Sequence, residues 1–318
     1  MNHESAKLRE ADGIEIITLV DNYADALLGT TEIMSRPSLA KEGVIQANTL
    51  LAEHGLALLV KIHKGAEEHV VLFDTGFSPI GLLHNMDYLD IDPEQIETIV
   101  LSHGHMDHTG ALYSLLDRLP KPIPLVVHPD VFLPNRYIET EDGQKLLFPE
   151  PPHREALEKR GLKVVENRGP MPIAADLALI TGEVARKTSF EQGLPNAMVE
   201  RNGRTEKDPI MDDQALVLKI RNKGLVVISG CSHSGVINTI YYARELTGVQ
   251  KIYGVLGGFH LAGPFFEQII ENTIDELKIV DPEVIVPMHC TGWKAIQRFS
   301  DEFPASCQLN SVGSKIIL

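Results

Sequence analysis

The stretch ETIVLSHGHMDHTGALYSLLDR, residues 97–118, holds His103, His105, Asp107 and His108 in the pattern H-x-H-x-D-H. Imidazole nitrogen and carboxylate oxygen are the donor set of a borderline divalent cation such as zinc. An apolar run, Thr98 to Leu101, precedes the motif, and Gly110 opens a helical pattern after it. A strand–turn–helix setting puts all four side chains at one strand end. Alternate ones can there face two adjacent metal ions. A solvated His-rich turn is the bland alternative, and both context and spacing favour the metal site.

Three further segments repeat the plan of apolar strand, His, Gly and helix. They are VVISGCSHSGVINTIYYA with His233, YGVLGGFHLAGPFFEQII with His260, and VIVPMHCTGWKAIQRF with His289. In a layered α/β body the carboxyl ends of strands lie along a common rim, where ligands bind. Four such ends bearing histidines imply one convergent site. Taken alone, His260 suits a helix cap or a core position equally well. His289 follows a strongly apolar strand, and Pro287 fixes the turn before it.

The elements that must carry these residues alternate. Strands are predicted at 14–20, 56–63, 68–74, 97–102 and 124–128, with helices near 79–86 and 108–118. Alternation resumes at 214–220, 224–229, 236–247, 251–256, 265–279, 283–287 and 293–299. Runs such as LVVIS and VIVP lack polar alternation, so both of their faces need cover. The region 129–211 reads differently, as a turn-rich, charged insert. A short helix at 153–160 and strands near 162–166 and 177–181 interrupt it. Such inserts often serve as lids or substrate walls.

Composition fits an enzyme with a large core: 318 residues, 43% of them hydrophobic. Against 44 acidic residues stand 29 basic ones, a formal charge of −15. That balance disfavours a nucleic-acid partner, because phosphate backbones are bound by Lys and Arg. No apolar run is long enough to cross a membrane. The first residues, MNHESAKLREADG, lack a secretory core. Cys231, Cys290 and Cys307 are too few for a disulfide framework, which suits reduced thiols and a cytoplasmic location.

The H-x-H-x-D-H motif, FDTG at Phe73–Gly76 and the strand–His at Val286–His289 together resemble the metallo-β-lactamase fold superfamily. Several pieces resemble one branch of it. They are LVDN at 19–22, EHGLALLV at 53–60, LFDTGFS at 72–78 and TGEVARKTSFE at 181–191. DDQALVLKI at 212–220, SGCSHSG at 229–235 and GGFHL at 257–261 complete the set. That branch contains the dihydropterin-type synthases of methanopterin biosynthesis and many bacterial proteins of unassigned role. The resemblance runs from Ile14 to Trp293.

The resemblance implies an α/β (α+β) fold, a four-layer αββα sandwich, as a single domain over residues 1–318 with the insert as a lid. It implies one or two divalent ions, zinc first, with iron or manganese as alternatives. Carried over residue by residue, His103 and His105 serve one ion, and Asp107, His108 and His289 the other. The place of a usual third His holds Asp213, and that of a bridging Asp holds Cys231, so His233 is the expected replacement ligand. Cys231 is then either a thiolate ligand or a small buried hydrophobe. Asp107 is the expected catalytic group. His260 either binds metal or donates to the substrate. Asp74 reads as the acid that fixes the histidine loop by hydrogen bonds, or as a plain turn former. Arg186 and Lys187, with Glu191 nearby, read as an anion-holding segment or as a solvated loop.

Three functions are compatible with this reading. The first is a metal-dependent hydrolase or transferase for a small, anionic, phosphorylated substrate, a pterin by the branch resemblance. The second is a metal-binding ligand sensor without turnover. The third is a nuclease-type phosphodiesterase, which the acidic charge disfavours. A homo-oligomer is compatible with all three.

Overall fold

The architecture is that of a computed structural model, which describes residues 8–201 and 203–318. Two large sheets face each other. The first runs Lys163–Glu166, Pro124–Val127, Thr98–Val100, Glu67–Phe73, Ala57–Lys64, Gly13–Val20, Lys315–Ile317, Met34–Ser35. The second runs Met171–Ile173, Ala178–Ile180, Ala215–Ile220, Gly224–Ser229, Ile252–Gly258, Val284–Met288, with Glu10–Ala11 beside Ala215–Ile220.

Successive side chains of a strand point to opposite faces. In the strand Ala57–Lys64, Leu58, Val60 and Ile62 therefore enter the core between the sheets. Ala57 and Leu59 enter a separate core under the outer helices. Leu216 and Leu218 against Val217 divide in the same way on the second sheet. Helices Pro79–Tyr88, Leu112–Leu116 and Arg154–Lys159 cover the first sheet through Leu82, Leu115 and Leu157. Helices Val236–Thr247, Ile270–Val280 and Trp293–Glu302 cover the second through Ile240, Ile274 and Phe299. Three apolar layers separating four structural layers make the expected αββα sandwich. The doubly apolar strands thus have cover on both faces.

Two expectations need correction. The segment 108–118 is not one helix: it breaks into Met106–Thr109 and Leu112–Leu116. At the break, a Cβ on Gly110 would lie 1.7 Å from the Phe77 carbonyl oxygen, so only glycine permits that approach. The region 129–211 is not one irregular insert either. Its strand Lys163–Glu166 pairs in parallel with Pro124–Val127 on the first sheet. Its strands Met171–Ile173 and Ala178–Ile180 extend the second. The remainder forms a separate four-stranded antiparallel sheet, Lys145–Leu147, Arg136–Glu139, Ala197–Arg201 and Arg204–Lys207.

The topology places the site. The strands Glu67–Phe73, Thr98–Val100 and Pro124–Val127 are mutually parallel, as are Gly224–Ser229, Ile252–Gly258 and Val284–Met288. Asp74, the His103–His108 loop, Cys231 and His233, His260, and His289 each follow the carboxyl end of one of these strands.

Candidate metal centre

Three imidazoles meet at one point. His103 Nε2 lies 3.0 Å from His105 Nδ1, and His233 Nε2 lies 3.2 Å from each of them. Three nitrogens in a triangle cannot all be satisfied by protons shared among themselves. The edges instead match the nitrogen separation of about 3.3 Å that follows from zinc–nitrogen bonds near 2.0–2.1 Å in a tetrahedron. Burial above all pushes His105 down to about 4, and holds His103 and His233 well below the ordinary imidazole value. Neutral rings keep the lone pairs that a cation needs.

A second cluster adjoins the first. Asp107 Oδ2 lies 3.2 Å from His289 Nε2 and 3.8 Å from His108 Nε2, and His108 Nε2 lies 3.1 Å from Cys231 Sγ. These four donors can hold one ion and the three imidazoles another. Cys231, His233 and His260 form a third, overlapping group. Burial alone would raise Asp107, but His108 and His289 outweigh it and hold its carboxyl well below the carboxylate range.

Hydrogen bonds aim the donors. Asp74 is fully buried and accepts from Ser102 N at 2.7 Å, Ser102 Oγ at 2.7 Å and His108 Nδ1 at 2.7 Å. With the His108 Nδ1 proton given to Asp74, the Nε2 lone pair faces the cluster. Ser102 Oγ sits 2.9 Å from His103 Nδ1 and passes the same constraint to His103. His289 Nδ1 lies 3.0 Å from Asn22 Oδ1, and the His289 backbone N–H donates to Asp21. Asp74, Ser232, His260 and His289 all take positive φ, at 63°, 57°, 45° and 49°. Such backbone costs roughly 1–3 kcal/mol per residue and collects at functional sites.

The clusters floor a cavity of about 520 Å³. Its walls are mainly apolar, with Ile138, Phe148 and Leu194 from the insert and Phe265 and Phe266 opposite. Phe148 packs on His105 at 4.7 Å and Phe266 on His260 at 4.5 Å. Among the described residues, no Lys or Arg lines it. The insert is tied to the metal loop: buried Arg136 pairs with Asp212, which accepts from Gly104 N at 2.7 Å. The Arg136–Glu139 strand is thereby anchored beside the metal loop.

Four residues named from the sequence take other places. Asp213 is buried and accepts from Ser234 N at 2.7 Å, outside the three donor groups. Arg186 donates to the carbonyls of Pro209 and His233, and so braces the chain behind the site. Lys187 pairs with Glu245 on the surface, outside the lining of the cavity. Glu191 caps the helix Val236–Thr247, accepting from Ile237 N at 2.9 Å and Asn238 N at 2.8 Å. A Cβ on Gly235, which has φ 96°, would lie 2.2 Å from the Glu191 carboxylate, so glycine serves there twice over. A Glu191→Ala protein should lose about 1–2 kcal/mol, the usual worth of a helix cap. Thermal unfolding should show Tm lowered by roughly 1–3 °C, with KM unchanged. A raised KM at unchanged Tm would restore the substrate-contact reading.

Asn22 and His54 are additions that the sequence did not assign. His54 Nε2 lies 3.5 Å from Asp107 Oδ2, and its Nδ1 lies 3.1 Å from Asn22 Nδ2. The signal was a polar pair directly after an apolar strand, in LVDN, and a lone His before one, in EHGLALLV.

The metal-free centre should respond to pH. Burial disfavours the His108 imidazolium, but Asp74 and Asp107 outweigh it and push it up to about 9. That stabilisation is fully present below the ordinary value of 6.5 and is lost as pH rises through about 9. Chelated protein should thus melt lower at about pH 9.5 than at about pH 6.5. Cation binding displaces the same proton, so apparent metal affinity should rise with pH over this window. A pH-independent affinity would contradict the His108 assignment.

This fold and these convergent donors place the chain in the metallo-beta-lactamase superfamily, whose sequence profile matches residues 52–177. One named relative makes the kinship more particular. The chain is 31% identical, over 92% of its own length and 93% of the relative's, to the 7,8-dihydropterin-6-methyl-4-(beta-D-ribofuranosyl)-aminobenzene-5'-phosphate synthase of Methanocaldococcus jannaschii. An uncharacterised protein of the same archaeon is 33% identical over 78% of this chain and 88% of its own. A solved metal-dependent hydrolase of the beta-lactamase superfamily superposes with a TM-score of 0.71 at 27% identity. That match covers 95% of this chain and 98% of the other.

Proposed function

We propose that this chain is a metal-dependent enzyme that cleaves or transfers a phosphate-bearing group of a small molecule containing a flat ring. The observation that carries the reading is the pair of donor clusters at the floor of an apolar, aromatic cavity without Lys or Arg. A flat ring suits walls made by Phe148, Phe265 and Phe266. An anionic group finds no side-chain cation there and would be matched by bound metal alone.

His103, His105 and His233 would hold one divalent ion, and Asp107, His108, Cys231 and His289 a second. Zinc suits this mix of nitrogen, oxygen and sulfur best. Ions so held supply Lewis-acid polarisation of a phosphoryl oxygen and acidify water. The chain supplies the rest. Asp107 reaches into the cavity with its carboxylate kept ionised. His260 lines the cavity and can bond a polar atom of the substrate. The apolar walls exclude water from the reacting group. The relative named as a synthase supports group transfer over hydrolysis.

The test is a panel of substrates offered to chelated and zinc-reloaded protein. It contains phosphate and diphosphate esters of pterin alcohols, lactones, amides and oligonucleotides. Zinc-dependent turnover of the phosphorylated pterins supports the proposal. Turnover confined to lactones and amides, cleavage of oligonucleotides, or ligand binding without any turnover would each overturn it.

A further inference from the structure

Asn22 stands between two imidazoles, and two backbone groups fix which way its amide faces. Gly55 N–H, which only donates, points to Asn22 Oδ1 at 3.3 Å. The His289 carbonyl, which only accepts, lies 3.3 Å from Asn22 Nδ2. The oxygen and the NH₂ group therefore cannot exchange places without losing both bonds. Asn22 Oδ1 also lies 3.0 Å from His289 Nδ1, so that nitrogen carries the proton and His289 Nε2 keeps a lone pair for a cation. Asn22 Nδ2 lies 3.1 Å from His54 Nδ1, so that nitrogen is bare and accepts. The proton of His54 is thus on Nε2. One amide sets opposite tautomers on its two neighbours.

A protonated nitrogen cannot ligate a cation, and His54 belongs to none of the three donor groups. It is nonetheless held beside them. Leu56 N donates to the Asp107 carbonyl at 3.1 Å, which ties the loop bearing His54 to the metal loop. A Cβ on Gly55 would lie 2.8 Å from that same carbonyl oxygen, so only glycine lets the two loops approach so closely. His54 lines the cavity, with its ring 4.8 Å from that of His289 and its side chain 64% exposed. Its Nε2 is 3.5 Å from Asp107 Oδ2, beyond the usual hydrogen-bond range of about 2.7–3.2 Å. The geometry leaves this donor to a ligand in the cavity.

We propose that His54 is a substrate-binding residue that donates from Nε2 to a phosphoryl oxygen seated at the second donor cluster, and that Asn22 positions it by fixing its tautomer. A directed N–H there adds orientation to the charge that a cation supplies. The phosphoryl oxygen rests on the enzyme reading above, whereas the tautomer does not.

Protein labelled with ¹⁵N at histidine reports the tautomer without any turnover. At about pH 8, where an ordinary imidazole is neutral, His54 should show a bare Nδ1 and a protonated Nε2. The signals that vanish in His54→Gln assign it. Asn22→Asp offers acceptors only. It keeps the bonds from Gly55 N and His289 Nδ1, and should put a proton on His54 Nδ1. Calorimetric titration of zinc-loaded full-length protein with inorganic phosphate measures the donor. His54→Phe keeps a flat ring and should bind phosphate about tenfold more weakly, the loss of one hydrogen bond to a charged group. His54→Gln restores an N–H and should come within about threefold of the parent. Zinc content per chain should be the same in all three.

A bare Nε2 in the parent, or a bare Nδ1 in Asn22→Asp, would overturn the tautomer assignment. Phosphate affinity unchanged in His54→Phe, no recovery in His54→Gln, or no phosphate bound by the parent would overturn the donor role. Zinc lost from His54→Phe would make His54 a ligand instead. His54-dependent phosphate binding in a protein that turns over no phosphorylated substrate would keep this inference and remove the enzyme reading. Turnover with phosphate binding indifferent to His54 would do the reverse.

Discussion

A His233→Ala protein is expected to hold one metal ion fewer per chain and to lose nearly all turnover. His233 Nε2 is one corner of a triangle of nitrogens, 3.2 Å from His103 Nε2 and from His105 Nδ1. Removing it leaves two imidazoles, too few to hold a zinc ion against water. Loss of a partner that merely orients a ligand costs about 10–100-fold in affinity, so loss of the ligand should exceed about 100-fold. The effect on the fold should separate cleanly from the effect on metal. Nδ1 of His233 is buried without a hydrogen-bond partner, so little internal bonding disappears with the ring. Parent and variant should melt close together when chelated and far apart in excess zinc, because only the parent gains stability by binding. Equilibrium dialysis followed by metal analysis gives the stoichiometry. An unchanged metal count per chain would move His233 out of the centre and leave Asp213 as the next residue to test.

The candidate site was legible in the sequence where donor and strand end coincide. His103, His105, Asp107 and His108 follow one strand directly, and His289 another, so local pattern and topology agree. His233 was reached because Cys231 and Asp213 occupy the superfamily's usual positions. The structure brings Cys231 into a donor group and leaves Asp213 outside all three. Arg186, Lys187 and Glu191 are absent from the residues lining the cavity, and their charges have other partners. Charge in a loop says that a partner exists and does not say which. Here the partners are two backbone carbonyls, a surface glutamate and a helix N-terminus. Helix capping of Val236–Thr247 by Glu191, a residue 46 positions earlier, has no local signature. The walls of the cavity were the least legible part. Arg136–Glu139 and Ala197–Arg201 are half exposed strands that pair only within the insert. Their register depends on distant partners, and the sequence between them reads as turns and charges.

Asp74→Asn should be the most damaging change that leaves shape and size alone. Asn keeps the volume and tolerates the positive φ of 63°. It cannot keep the hydrogen bonds. Asp74 Oδ1 accepts from Ser102 N, while Oδ2 accepts from both Ser102 Oγ and His108 Nδ1. If the amide oxygen stays with Ser102 N, its NH₂ group faces the Ser102 hydroxyl and His108 Nδ1. The imidazole must then move its proton to Nε2, and the lone pair that faced Asp107 and Cys231 is lost. If the amide turns round, Ser102 N faces an NH₂ group and the histidine loop is released at its first residue. Either outcome leaves buried groups unsatisfied, a cost of about 1–3 kcal/mol. The first outcome weakens the second donor cluster through His108, whereas the second keeps an oxygen on His108 and loosens the first cluster through Ser102 and His103. Metal affinity should fall by about 10–100-fold in a chain that still folds. Competition against a zinc chelator of known affinity measures the first quantity, and thermal unfolding of the chelated protein the second. Ser102→Ala separates the two routes, because it removes the hydroxyl bridge to His103 and leaves the His108–Asp74 bond in place. It should cost less metal affinity than Asp74→Asn. An Asp74→Asn protein that binds zinc as tightly as the parent would reduce Asp74 to the turn former that its position before Thr75 and Gly76 also allows.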